Sequence, residues 1–357
     1  SAPAPVPGLF LSAYARSLRI FEAMQKTRFA IIGCGKIAPR HAAEAARLGQ
    51  LVAVCDIVPE RADALAAQYG AKAFYNISDL LAQAGNFDLL AVCTPNGLHA
   101  EHSMAALEKG LHVLCEKPLC LSVKDAEDMM HLAQNHDRRL FVVKSTRYNP
   151  ALAALKQKLD EGAFGKCYSF QLNCFWNRPA AYYTGSWKGG LALDGGTLFT
   201  QFSHYIDALL WLLGDIREVR GYRKNMAHEG VIEFEDSGVA AVEMENGMLG
   251  GINWSVNSFQ HNMEVSLSLI AEKGSIRIGG EYMNRIDHQL LAGEPFTVPE
   301  YGQANDYGFY KVSMSNHDKI YENLLIALQD AQHPFANAAD GLRTVAAIER
   351  IYRSVTA

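Results

Sequence analysis

Short apolar runs alternate with stretches of helical periodicity from residue 28 to residue 144. The runs cover residues 28–32, 51–55, 73–75, 87–93, 111–115 and 140–144. Between them, amphipathic patterns run through Leu48, over 59–69, from Ser78 as a cap to Ala84, over 99–109 and over 122–135. Buried strands that alternate with helices predict an α/β fold, a doubly wound parallel sheet over residues 28–145.

From Arg147 onward the pattern changes. A helix is predicted over 150–159 and a long strand over 167–175, followed by an irregular, aromatic and basic stretch, 177–189. Residues 198–213 read as one helix stopped by Gly214. Asp236-Ser237-Gly238 reads as a turn between strands 231–235 and 239–245, and Asn246-Gly247 as a hairpin leading to a strand through Val256. Lys273-Gly274 turns strand 264–270 into 275–278, the segment 282–312 is ambiguous, and helices over 316–331 and 340–354 close the chain. The expected second domain, 146–357, is α+β with a large open, mainly antiparallel sheet. One apolar face of such a sheet needs covering and is a candidate oligomer interface, giving a homodimer or homotetramer.

Residues 1–27 stand apart: a Pro/Ala opening, then a weak apolar pattern (Leu9, Tyr14, Leu18, Phe21), with Met24 as a natural start. They read as an upstream or added extension rather than a signal peptide.

Composition narrows the class. The chain has 357 residues, enough for two domains, with 49 % hydrophobic and 20 % charged positions, as in ordinary soluble proteins. A net charge of −5 argues against a nucleic-acid surface, and no apolar run suits a membrane span. Seven cysteines, an odd number without C-x-x-C, read as reduced packing residues of a cytoplasmic protein. His99 and His102 lie three apart but lack further ligands, so no metal is expected.

The first chemical signal is Gly33-Cys34-Gly35-Lys36-Ile37-Ala38, placed between a strand and a helix. This is the dinucleotide fingerprint: Gly33 makes the tight turn, Gly35 admits the pyrophosphate, and Ala38 packs the helix close. Asp56 ends the second strand, where a carboxylate holds an adenosine ribose and repels a 2′-phosphate. Ile57 follows in place of an arginine, so NAD is expected over NADP. Thr94-Pro95-Asn96 and Cys115-Glu116-Lys117-Pro118 end two later strands, on the side where ligands bind.

The second signal is Asp194-Gly195-Gly196, followed by Thr200 and Gln201 and then His204 and Asp207. Thr200 and His204 share a helix face, and Asp207 is placed to orient the imidazole. Arg147, Arg178 and Lys188 border the expected cleft and suit carboxylate or diphosphate oxygens. Trp176, Tyr182, Tyr183 and Trp187 are candidates to stack on a sugar or cover the nicotinamide.

Together these stretches resemble the glucose–fructose oxidoreductase/inositol dehydrogenase (Gfo/Idh/MocA) family over residues 28–357. The resemblance implies a hydride transfer between NAD and a secondary alcohol of a sugar or cyclitol. It implies that Lys117 bonds the reacting oxygen and that His204 exchanges its proton. It places Gly33, Cys34, Gly35, Lys36, Ile37, Asp56, Thr94, Pro95, Asn96, His99, Glu116, Lys117 and Trp187 at the cofactor. It places Lys117, Arg147, Asn177, Arg178, Tyr182, Lys188, Thr200, Gln201 and His204 at the substrate. Many members carry Asp where Thr200 stands. Tyr182-Tyr183 and Ser186-Trp187-Lys188-Gly189 look like the branch that oxidises UDP-N-acetylglucosaminuronate at C3 for surface polysaccharide. Competing readings are a glycosidase that uses NAD transiently, a dehydrogenase of a free sugar or cyclitol, and a non-catalytic NAD sensor.

Overall fold

The computed structural model describes residues 27–298, 304–306, 311–314 and 316–356. The extension expected before residue 27 and part of the ambiguous 282–312 segment lie outside the described residues.

Six strands form the first sheet: β1 (Arg28–Ile32), β2 (Gln50–Cys55), β3 (Lys72–Phe74), β4 (Leu89–Val92), β5 (His112–Cys115) and β6 (Leu140–Val142). All pair in parallel, in the order β3-β2-β1-β4-β5-β6. Helices α1 (Ala38–Leu48), α2 (Pro59–Tyr69), α3 (Ile77–Leu81), α4 (His99–Glu108) and α5 (Val123–Asn135) make the crossovers. Every residue of β4 is buried, as expected of a strand covered by helices on both faces. Strand order reverses between β1 and β4, which opens a crevice at their C-terminal ends.

One boundary is corrected. Asn76, not Ser78, caps α3: its backbone is extended and its Oδ1 accepts the Asp79 N–H at 2.8 Å.

Helix α6 (Pro150–Asp160) leads into the second domain, which carries the short helices α7 (Ala180–Tyr183) and α8 (Leu191–Asp194) and the longer α9 (Ser203–Leu213). Its strands are β7 (Cys167–Phe175), β8 (Ile216–Lys224), β9 (Ser237–Met244), β10 (Leu249–Ser255), β11 (Glu264–Ala271), β12 (Gly274–Gly279) and β13 (Arg285–Leu291). A two-stranded ladder, β14 (Ala304–Asp306) and β15 (Lys311–Met314), follows, and β16 (Val355–Thr356) ends the chain. The eight-stranded sheet runs β13-β12-β11-β7-β10-β9-β8-β16. It is antiparallel except where β10 meets β7 and β16 meets β8.

The expected strand over 231–235 is absent. β8 pairs with β9 instead, and its charged outward residues, among them Arg217, Glu218 and Arg220, mask its alternation in sequence. Asp236 does not make a hairpin turn: its carboxylate accepts the N–H groups of Met226 and Ala227, closing a loop before β9. The Asn246-Gly247 hairpin between β9 and β10 is present, with Gly247 at φ +81°.

Two C-terminal helices, α10 (His317–Gln329) and α11 (Ala338–Ser354), return to the first sheet. Ile320, Tyr321 and Leu324 of α10 share a core with Phe29, Ile31 and Leu114. Asn337 and Asp340 form a capping box that starts α11, beside β6. Inward residues of the second sheet, such as Leu172, Ile252 and Leu267, pack under α9 in one continuous core. Its other face exposes Val239, Leu249 and Ile270 around a shallow hollow. All seven cysteines are free thiols. Among the described residues no helix is long and apolar enough to cross a membrane.

Candidate active site

The turn from β1 to α1 is built for close approach. Gly33 sits at φ +90°, and a Cβ there would lie 2.6 Å from the Cys93 carbonyl, so only glycine fits. A Cβ at Gly35 would meet none of the described residues within 4 Å, which leaves the backbone open to a phosphate at the α1 N-terminus. Asp56 is fixed between two loops: Oδ2 accepts the Cys34 N–H at 2.7 Å and Oδ1 the Val58 N–H at 2.8 Å. Ile57 beside it is 85 % exposed. This cradle fits the pyrophosphate and adenosine ribose of a dinucleotide. Lys36 and Ile37 stand at its rim, exposed and half-buried.

The seam lies where β5 ends. Lys117 precedes a cis proline, Pro118, and its Nζ donates to the Thr200 carbonyl at 2.9 Å. Thr200 belongs to a π-helical turn, Leu198–Phe202, that opens α9 where a continuous helix was expected. Such turns recur at functional sites. Gly195 and Gly196 have φ of +85° and +122°, and a Cβ on Gly196 would press on the Tyr352 hydroxyl at 2.5 Å. Asn96 ties the two domains together: Nδ2 donates to the Asp194 carbonyl at 2.9 Å and to Thr200 Oγ1 at 2.7 Å.

His204 follows on α9, buried, with no partner for Nδ1 among the described residues. Burial, reinforced by the Lys117 charge, pushes its pKa well below 6.5 and keeps the imidazole neutral. Burial also lowers the Lys117 pKa, against the pull of Glu116 and Asp194. A neutral base beside an ammonium group is what removal of a hydroxyl proton and stabilisation of the resulting oxyanion require.

Several expected partners are engaged elsewhere. Asp207 does not orient His204. Its Oδ1 lies 2.9 Å from Lys144 Nζ, and both oxygens accept from Arg147 at 2.8 Å. Burial opposes its ionisation, but these two cations hold the carboxyl at about 2. Arg147 also pairs with Asp340 at 2.8 Å, so its charge is compensated within the protein rather than offered to substrate. Glu116 turns inward: Oε1 accepts from His41 at 2.9 Å and lies 3.3 Å from His317 Nε2, while Oε2 accepts the Lys117 N–H at 3.0 Å. Burial disfavours its charge, yet the two histidines hold its pKa well below the usual range. His99 is likewise buried, its ring nitrogens 2.6 Å from the Pro118 carbonyl and 2.8 Å from that of Thr94. Glu116 and His99 therefore shape the turns from behind, and Thr94 and Pro95 remain half-buried at the cleft edge. Thr94 Oγ1 bonds His102 Nδ1 at 3.0 Å.

The basic stretch forms the far wall. Arg178 is buried between the Trp176 and Tyr182 rings, at 4.6 and 5.2 Å. Its Nε donates to Gln201 Oε1 at 2.8 Å, and Gln201 Nε2 donates to the Tyr182 hydroxyl at 3.0 Å. Trp176 is core, packed on Phe202 and Tyr205, and Tyr183 is buried beside His228, so neither is a sugar platform. Asn177 is occupied by the 257–263 loop: Nδ2 donates to the Ser258 carbonyl and its N–H to Asn262 Oδ1. Lys188 lies over Tyr182 and half-buried Trp187, at 5.0 and 4.7 Å. Burial lowers its pKa to about 8, with Lys36, Lys117 and Arg178 adding repulsion and Asp194 opposing it. Lys188 and Arg178 thus meet at the Tyr182 ring.

The sequence gives no role to Asp194, although it opens the glycine-pair motif, and no sign of His41, His317 or Asn262. His41 reaches Glu116 from α1 across the first domain, and His317 only through the return of α10 to α1, contacts that no local pattern records.

Fold and site together define a nicotinamide-dependent oxidoreductase. The chain belongs to the GFO/IDH/MocA family: the oxidoreductase family with NAD-binding Rossmann fold matches residues 27–144, and the GFO/IDH/MocA C-terminal domain matches 152–277. It is similar to the WlbA dehydrogenase from Bordetella pertussis, solved with NADH and UDP-GlcNAcA, at 36 % identity and TM-score 0.82 over 92 % of this chain and 96 % of that one. The WlbA enzyme from Chromobacterium violaceum, solved with the same two ligands, gives 33 % and 0.84 over 92 % and 94 %. D-glucoside 3-dehydrogenase of Escherichia coli is 30 % identical over 253 residues, 66 % of this chain and 71 % of the enzyme.

Proposed function

We propose that the protein oxidises the C3 hydroxyl of a UDP-linked sugar acid of the UDP-N-acetylglucosaminuronate type, with NAD. The placement of Lys188 and Arg178 on the Tyr182 ring carries this reading, because it sets positive charge at the wall of the cleft, where an anionic group of the substrate would lie. The two WlbA structures with UDP-GlcNAcA support it. His204 takes the hydroxyl proton, and Lys117 donates a hydrogen bond to the developing alkoxide. NAD, when bound, supplies the hydride acceptor at nicotinamide C4. Tyr182, Gln201 and Arg178 fix the wall against which the sugar lies.

Lys188→Met is expected to raise the Kd for UDP-N-acetylglucosaminuronate about tenfold, near 1.4 kcal/mol, by calorimetry. The effect should shrink as salt is added. Equal affinity in the two proteins would remove Lys188 from the substrate site.

Cofactor choice is a second expectation. Asp56 would meet a 2′-phosphate with like charge, so wild type should prefer NAD over NADP by at least about tenfold, roughly 1.4 kcal/mol. Asp56→Ser should narrow that gap, and equal affinities in wild type would refute it. We further propose a homodimer or homotetramer built on the open face around Val239, Leu249 and Ile270 in the cytoplasm. Light scattering at working concentration distinguishes these from a monomer.

A further inference from the structure

Beside the proposed chemistry stands a buried carboxyl group that it does not use. Asp194 ends α8 and is 1 % exposed. Its Oδ2 accepts the Gly189 N–H at 2.9 Å, and its Oδ1 accepts a short hydrogen bond from Thr200 Oγ1. The Thr200 carbonyl in turn accepts from Lys117 Nζ. Asn96 locks the arrangement by donating to both Thr200 Oγ1 and the Asp194 carbonyl. Thr200 thus stands between a carboxylate and the ammonium group proposed to stabilise the alkoxide.

We infer that Asp194 is a positioning residue: through Thr200 its carboxylate places the Lys117 side chain and serves, beside Glu116, as a counter-charge to that ammonium group. The inference rests on the roles proposed for Lys117 and His204 and adds the group that sustains one of them. Charge placement agrees with it. Lys117 faces Glu116 and Asp194 as counter-charges, and Arg178 and Lys144 as repelling ones. Glu116 is the larger of these two counter-charges, but its carboxylate is tied to His41 and His317 and cannot place the Lys117 ammonium, whereas Asp194 reaches it through Thr200. Asp194 faces Lys117 and Lys188 as its neighbouring cations. Burial raises its pKa, and the Thr200 and Gly189 bonds, with those cations, oppose the rise. Without this carboxylate, Glu116 alone would oppose burial and the repulsion of Arg178 and Lys144, and the balance would move toward the neutral amine, which stabilises an oxyanion poorly.

The test follows the titration of Lys117 itself. Full-length protein is labelled with acetic anhydride across a pH series, and acetylation of the Lys117 peptide is quantified by mass spectrometry. Asp194→Asn should lower the Lys117 pKa by about one unit or more, the usual effect of removing a close opposite charge. Asp194→Glu should restore much of it. In kcat/KM profiles the alkaline limb should move to lower pH in Asp194→Asn. The acid limb should stay, because the charges acting on His204 are Lys117, Glu116, Lys144 and Asp207. The labelling arm needs no substrate, so an inactive preparation would count against the proposed substrate and leave this test intact. An unmoved Lys117 titration, with NAD affinity and melting temperature preserved, would overturn the inference. Should Asp194→Asn not fold, Asp194→Ser keeps a small acceptor for the Gly189 N–H and is read in the same way.

Discussion

Lys117→Ala should lower kcat by roughly 10²–10³-fold, the usual cost of losing one oxyanion donor. NAD should still bind, because the cradle of Gly33, Gly35 and Asp56 is built without this side chain. The loss arises where the alkoxide forms: the half-buried Lys117 ammonium, held on the Thr200 carbonyl, is the donor proposed to meet the oxyanion. Lys117→Arg should recover little, because a guanidinium cannot occupy the place of a single Nζ bonded at 2.9 Å to the Thr200 carbonyl. The wild-type alkaline limb should fall below pH 10.5, since burial lowers the lysine pKa. Stopped-flow measurement of NADH formation separates this loss in the chemical step from weaker binding.

His204→Ala should cost roughly 10²–10⁴-fold in turnover, the span for removing a positioned base. The sign of the pH dependence follows from the site. The base must be neutral, so oxidation rises as pH increases through the His204 pKa. An unperturbed histidine would place that limb near 6.5, but burial and Lys117 move it to the acid side. Wild type should therefore be on its plateau at neutral pH, and a limb centred above 6.5 would contradict this assignment. Thr200→Ala should be milder, because the Thr200 carbonyl that bonds Lys117 remains and only the hydroxyl's links to Asp194 and Asn96 are lost.

The first domain was legible because its physics is local. Buried strands such as β4 read as apolar runs, and the Gly33–Ala38 turn carries its own steric signature. β8 was not, because its outward face is charged and its partner β9 lies beyond an irregular loop held by Asp236. Lys117 and His204 stand out in sequence as a candidate pair, but the contacts around them differ in part from those expected. Asp207 is near His204 in sequence, but Lys144 and Arg147 claim it in space. Glu116 stands at the cofactor end of β5, but His41 and His317 draw it inward. Each of these outcomes depends on long-range contacts, which periodicity does not record. Asp194 is the opposite case: it is adjacent to a motif already recognised, and only the fold-back of the Thr200 hydroxyl gives it a role.

The central claim is the pairing of this site with an anionic nucleotide sugar. The most direct measurement is NADH formation with NAD and, in parallel, UDP-N-acetylglucosaminuronate, UDP-N-acetylglucosamine and methyl glucoside, with the oxidised carbon located by mass spectrometry after borodeuteride reduction. The highest kcat/KM is expected for the uronate, with deuterium at C3. A higher kcat/KM for the neutral glucoside, or deuterium at another carbon, would contradict it.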